Sequence, residues 1–132
     1  MPVGMSRRSL MQGAAAMACM SATPAFAQAY PQRAIKLIVP FPAGGPTDQV
    51  TRQIAPKMGA RLGQNFVVEN VSGGGTNIAV NQVAKSAPDG YTLLMTLATN
   101  TINPWLYKSL PFDFQREITP VSGLAELPLV LV

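Results

Sequence analysis

The residues whose types and order could do chemistry lie in one run, Phe41-Pro42-Ala43-Gly44-Gly45-Pro46-Thr47-Asp48. The apolar run Ile35-Lys36-Leu37-Ile38-Val39 comes just before it and predicts a buried parallel strand. After it, Val50, Ile54, Met58 and Leu62 recur four apart, which predicts a helix packed by that face. Thr47 or Asp48 is the expected N-cap, because its side-chain oxygen can accept an orphan N–H of the first turn. A strand, a glycine turn and a helix N-terminus together aim free N–H groups and the positive end of a helix dipole at one spot, which suits an anion. The loop itself has no Lys or Arg. Its donors are backbone amides near Gly44, Gly45 and Thr47, which suit a small carboxylate better than a polyphosphate. Pro46-Thr47 after Gly45 excludes a Walker phosphate loop, and the dinucleotide glycine spacing is absent. The same pattern also serves as a plain strand-to-helix connection, and the loop alone leaves both readings open.

The flanking elements place this loop. The helix from about Thr47 to Leu62 contains Pro56, which predicts a kink or a restart there, and Gly63 supplies a stop. Phe66-Val67-Val68 predicts a second strand. A second glycine-rich turn follows, ending Gly73-Gly74-Gly75-Thr76-Asn77, and leads into a helix with Ile78, Ala79, Val83 and Ala84 inward. Pro88-Asp89-Gly90 is a turn signal, and Tyr91-Thr92-Leu93-Leu94-Met95 predicts a third strand. Thr96 to Asn103 reads as a polar loop rich in Thr and Asn. Alternating strands and helices predict an α/β fold with a parallel sheet in the order 2-1-3. Ligands of open α/β sheets bind at the carboxyl ends of the strands. Two glycine loops and one Thr/Asn loop converge on that edge, and this convergence favours the ligand-binding reading of residues 41–48.

Composition narrows the chemistry. Residues 1–27 read as an export leader: Arg7-Arg8, a mildly apolar stretch from Leu10 to Ala22, and Ala25-Phe26-Ala27 as a cleavage site. Ser6-Arg7-Arg8-Ser9-Leu10 fits either a general secretory or a twin-arginine leader. Two of the 10 basic residues lie in this leader, so the formal charge of +4 halves on cleavage. The remaining cations form no stripe, which gives no support for nucleic-acid binding. Cys19, the single cysteine, falls in the leader, and the chain has no His. Beyond residue 27, disulfides, thiol catalysis, imidazole bases and most zinc sites are therefore excluded. Asp48, Glu69, Asp89 and Asp113 are scattered, and no acid/base pair or Gly-x-Ser-x-Gly elbow stands out. A hydrolase using Gly44-Gly45 as an oxyanion hole therefore ranks low. No cofactor, catalytic residue or metal is expected.

Several separate motifs resemble one family. Tyr30-Pro31 through Asp48, Gly63-Gln64, Val67-Val68-Glu69-Asn70, Pro88-Asp89-Gly90-Tyr91-Thr92-Leu93-Leu94, Asn103-Pro104 with Leu106-Tyr107, and Leu110-Pro111-Phe112-Asp113 are similar to the Bug-type extracytoplasmic solute receptors of tripartite tricarboxylate transporters. The resemblance implies a periplasmic clamshell of the type II binding-protein kind. Residues 28–132 would be mainly its first α/β lobe. The ligand would be a small organic carboxylate, delivered to membrane transporter subunits, without stable membrane insertion. It carries the ligand wall onto Phe41, Pro42, Ala43, Gly44, Gly45, Thr47 and Asp48, onto Gly74, Gly75, Thr76 and Asn77, and onto Thr99 and Asn100. Val71-Ser72 before the glycines and Asn100-Thr101 before Ile102-Asn103-Pro104 depart from the usual family residues, and these positions bear on which ligand is bound. Family members are more than twice this length, and Leu127 to Val132 is an apolar, strand-like run. The expectation is an N-terminal part of a receptor, with a non-binding remnant of a disrupted receptor gene as the alternative.

The leader reading is testable. N-terminal sequencing of protein recovered from the periplasm is expected to begin at Gln28; recovery only of chains starting at Met1 or Met5 would contradict it.

Overall fold

The computed structural model describes residues 30–125. The leader and the apolar run from Leu127 lie outside these residues. Strand β1 (Ile35–Val39) is followed by helix α1 (Pro46–Leu62), strand β2 (Phe66–Asn70) and a 3-10 turn at Gly74–Thr76. Helix α2 (Asn77–Ala84), strand β3 (Thr92–Leu94), helix α3 (Ala98–Leu106) and the short helix α4 (Phe114–Glu117) complete the described chain.

The three strands form one parallel sheet in the order β2-β1-β3, as the alternation of elements predicts. Ile35 pairs with Phe66 and Val39 with Asn70 on one side of β1; Ile38 pairs with Leu94 on the other. Ile38 and Val39 point to opposite faces, yet each is 0% exposed. Both faces of the central strand are therefore covered at its carboxyl end, where α1 packs against β2 and β1, and α2 against β3 and β1. Ile35, Leu37, Ala55, Ala79, Val80 and Phe112 complete the described core. Parallel pairing sends the chain out of β1, β2 and β3 at the same edge.

Five local expectations are corrected. Helix α1 begins with Pro46 and is capped by the backbone of Gly45, so neither Thr47 nor Asp48 is the N-cap. Proline suits this first position because its missing N–H has no partner there in any case. The helix runs through Pro56 without interruption. Its inward residues are Asp48, Thr51 and Ala55, while Val50 and Leu62 are each 44% exposed. The small Thr51 and Ala55 face the core, and the Thr51 hydroxyl donates to the Thr47 carbonyl at 2.6 Å. In α2 the buried pair is Ala79 and Val80, and Ile78 lies mostly in solvent.

The fifth correction matters most for the site. Residues 98–106 form a helix, which overlaps the stretch from Thr96 to Asn103 read as a polar loop and runs beyond it. Thr and Asn have weak helix propensity. Asn100 and Asn103 are three apart on one helical face, each 2% exposed, and their carboxamides bond to the second glycine loop. These long-range bonds supply what local propensity lacks.

Truncating Ile38 should cost about 2–5 kcal/mol, the range for a large aliphatic residue removed from a packed core. Urea denaturation of Ile38→Ala checks this. A loss below about 1 kcal/mol would mean that β1 is not the centre of the core.

Candidate functional site

The site starts with the loop from β1 to α1. Its base is a buried carboxylate. Asp48 is 3% exposed and sits in the first turn of α1. Its Oδ2 accepts the Gly44 N–H at 2.8 Å, its Oδ1 accepts the Asn70 Nδ2 at 2.9 Å, and the Arg52 Nε donates to both oxygens at 3.0 Å. Hydrogen bonds from Arg52, then from the Gly44 amide and the Asn70 side chain, lower the Asp48 pKa from 3.8 to about 2. Burial opposes this and is outweighed. Asn70, at the end of β2, also donates to the Phe41 carbonyl at 3.1 Å and accepts from the Arg52 Nη2 at 2.9 Å. The loop is thus tied to its own helix and to the neighbouring strand.

This network changes which donors face outward. The Gly44 N–H is used by Asp48, and the Gly45 N–H by the Pro42 carbonyl at 3.3 Å. The Gly44 carbonyl accepts the Gln49 side chain. Thr47 and Asp48 are first-turn residues whose amides have no intrahelical acceptor, and they find none elsewhere among the described residues. At the helix start, the donors without an acceptor among the described residues are the amides of Thr47 and Asp48. The glycines shape the loop: Gly44 has φ 82°, a conformation that L side chains rarely adopt. Pro42 and Ala43 are exposed, and Phe41 is half-buried.

The second loop, between β2 and α2, has consecutive positive φ angles at Gly73, Gly74, Gly75 and Thr76. The Thr76 N–H donates to the Gly73 carbonyl, and the Asn77 N–H to the Gly74 carbonyl. The amides of Gly74 and Gly75 find no acceptor among the described residues. Gly75 cannot become a larger residue: its φ is 61°, and a Cβ there would collide with the Tyr107 hydroxyl. Thr76 is buried, Asn77 half-buried and Gly74 exposed.

The third wall is the start of α3. Thr99 is exposed, and the Ala98 and Thr99 amides find no acceptor among the described residues. Asn100 is buried: its Nδ2 donates to the Thr76 Oγ1 at 2.9 Å, and its Oδ1 accepts from the Thr96 Oγ1 at 2.9 Å. Its carboxamide therefore braces the second loop. Sequence reasoning missed Asn70, Arg52 and Asn103. Asn103 donates to the Gly75 carbonyl at 2.7 Å and to the Asn77 Oδ1 at 2.8 Å. Its spacing of three from Asn100 is a signal that could have found it, once residues 98–106 are read as a helix.

The edge thus offers neutral donors with no titratable base or nucleophile among them. Arg52, the nearest cation in this network, is committed to Asp48 and Asn70. No cluster of three or more His, Cys, Asp or Glu among the described residues could hold a metal ion. Such an arrangement suits the binding of an anion.

Comparison with known proteins agrees with that chemistry. The family described as "Tripartite tricarboxylate transporter family receptor" matches residues 50–132. Protein BugT of Bordetella pertussis (strain Tohama I) is 42% identical over 113 residues, covering 84% of this chain and 35% of BugT. Among solved structures, the periplasmic binding protein BugD is 48% identical with a TM-score of 0.58, over 60% of this chain and 26% of that one. MatC from Rhodopseudomonas palustris, with bound malate, is 40% identical with a TM-score of 0.66, over 70% of this chain and 32% of that one. These relatives are receptors and solute-binding proteins, not enzymes. The chain spans about a third of the length of the curated relatives it matches.

The lowered Asp48 pKa fixes a pH dependence. The folded value, about 2, lies below the ordinary 3.8. The stabilisation is therefore complete above the unfolded value and is lost as pH falls from about 4 toward 2. Asp48→Asn should be less stable than the parent by a constant margin above about pH 5, and that margin should shrink between pH 4 and 2. Thermal melts at stepped pH check this, and a margin independent of pH down to 2 would contradict it.

Proposed function

The chain belongs to the tripartite tricarboxylate transporter receptor family, and from that premise we propose that it supplies one ligand-binding wall of a periplasmic receptor for a small organic carboxylate. The observation that carries the proposal is the set of unpaired amides at the sheet's carboxyl edge: Thr47 and Asp48, Gly74 and Gly75, and Ala98 and Thr99. A carboxylate accepts several N–H groups at once, and neutral donors fixed at helix starts suit one or two such groups. The malate bound by MatC supports a four-carbon dicarboxylate as the first ligand to try.

Further parts of this reading are residues 28–132 as a receptor lobe, a leader over residues 1–27 removed on export by the general secretory or twin-arginine route, and delivery of the ligand to membrane transporter subunits. Among the described residues no helix is long and apolar enough to cross a membrane.

The expected affinity follows from the donors. Three hydrogen bonds to a charged group at about 1.5 kcal/mol each give about 4–5 kcal/mol before ordering costs. One millimolar corresponds to about 4.1 kcal/mol. Once ordering costs are subtracted, the described wall alone should bind in the millimolar range or more weakly. Tighter binding is expected where a second lobe of the family fold closes over the ligand and excludes water, which strengthens each polar contact. Amide NMR titration with malate should give saturable shifts at Thr47, Asp48, Gly74, Gly75, Ala98 and Thr99. Citrate, adipate and aspartate in parallel would rank the ligand classes. No shift at tens of millimolar from any of these acids, or shifts confined to other surfaces, would overturn the reading.

A further inference from the structure

We propose that Asn103 and Asn100 are positioning residues of the ligand wall: their buried carboxamides lock the Gly74–Thr76 turn onto α3, so that two of the three donor groups move as one block. The proposal rests on the receptor reading for its functional consequence, and on the hydrogen-bond geometry for the lock itself.

Thr76 is the one non-glycine residue with positive φ among the described residues, at 78°. A β-branched residue resists that conformation, and it persists only where the surroundings over-determine it. The surroundings are explicit here. The Thr76 Oγ1 accepts from Asn100 at 2.9 Å and lies 3.4 Å from the Asn103 Nδ2, while donating to the Gly75 carbonyl. Asn103 also holds the Gly75 carbonyl and the Asn77 side chain, so it spans three consecutive residues of the turn. Both asparagines are 2% exposed, and removal of either would leave buried polar groups unpaired. The Tyr107 hydroxyl fills the space where a side chain on Gly75 would sit, which closes the block on its α3 side.

With the Gly75 carbonyl held by Asn103 and the Gly73 and Gly74 carbonyls by the Thr76 and Asn77 amides, the turn leaves the Gly74 and Gly75 amides free. The Ala98 and Thr99 amides stand at the start of the helix that carries both asparagines. Donors fixed before the ligand arrives cost no ordering on binding. The first loop is independent of this block, being held by Asp48, Asn70 and Arg52.

The test uses the full chain, amide NMR and malate as probe. In ligand-free Asn103→Ala, the Gly74 and Gly75 resonances should move and the Thr76 amide should exchange faster, while Thr47 and Asp48 stay in place. Malate binding should weaken about tenfold, which corresponds to about 1.4 kcal/mol. Thr76→Gly accepts the positive φ, so the turn can still form, but it leaves the buried Asn100 Nδ2 without its acceptor, and the melting temperature should fall modestly while the chain stays folded. It lacks the hydroxyl junction, so it should lose affinity like Asn103→Ala, and Thr76→Ser should recover it. A merely structural role predicts that Thr76→Gly binds malate like the parent, and that result would overturn the inference. If the parent shows no response to malate, the receptor reading fails. The ligand-free resonances then decide the lock alone, and unmoved Gly74 and Gly75 signals would overturn it.

Discussion

An anion held by neutral backbone amides is held only as firmly as those amides are prevented from turning away. That constraint governs the carboxyl edge of this sheet. The sheet brings three chain exits together, but three loops rich in glycine, threonine and asparagine have many other conformations to choose from. Two buried polar clusters remove that freedom. One is ionic, with the Asp48 carboxylate accepting from a backbone amide, a carboxamide and a guanidinium. The other is neutral, with Asn100 and Asn103 gathering a hydroxyl, a carbonyl and a side-chain amide.

The division of labour between the clusters has an electrostatic logic. Asp48 is an anion beside a site read as binding anions, and uncompensated it would repel the ligand. Arg52 cancels that charge at 3.0 Å and is spent doing so, which leaves the helix start to act through its dipole and amides. The second loop carries no charge and needs none cancelled, so carboxamides suffice. Asn70 stands at the root of the second loop, but its side chain bonds to Arg52, Asp48 and the Phe41 carbonyl, so it belongs to the first cluster.

Much of this was legible in the sequence, for physical reasons that also mark where legibility stopped. The run Ile35–Val39, apolar except for Lys36, announces a strand covered on both faces, and the alternation of elements yields the order β2-β1-β3. The glycine loops were visible because few residues other than glycine tolerate their backbone angles. The hidden parts are long-range polar bonds. Asp48 looks like an N-cap from its neighbours alone; only the backward reach of its carboxylate to Gly44, and Asn70 arriving from 22 residues away, reveal a latch. Residues 98–103 looked like a loop because their helix is held by bonds to a turn more than 20 positions earlier. The inward face of α1 was misjudged because the period-four stripe of large residues outweighed the small Thr51 and Ala55 that meet the core.

The central claim is that ligand carboxylates are held by backbone amides fixed from behind, not by a side-chain cation. A crystal structure of the protein with malate tests this most directly. The account predicts a malate carboxylate at the strands' carboxyl edge, with its oxygens within about 3.2 Å of the Thr47 or Asp48 amides and of the Gly74 or Gly75 amides, and with the Arg52–Asp48 pair intact. Malate paired with a displaced Arg52, or bound away from the three loops, would contradict it.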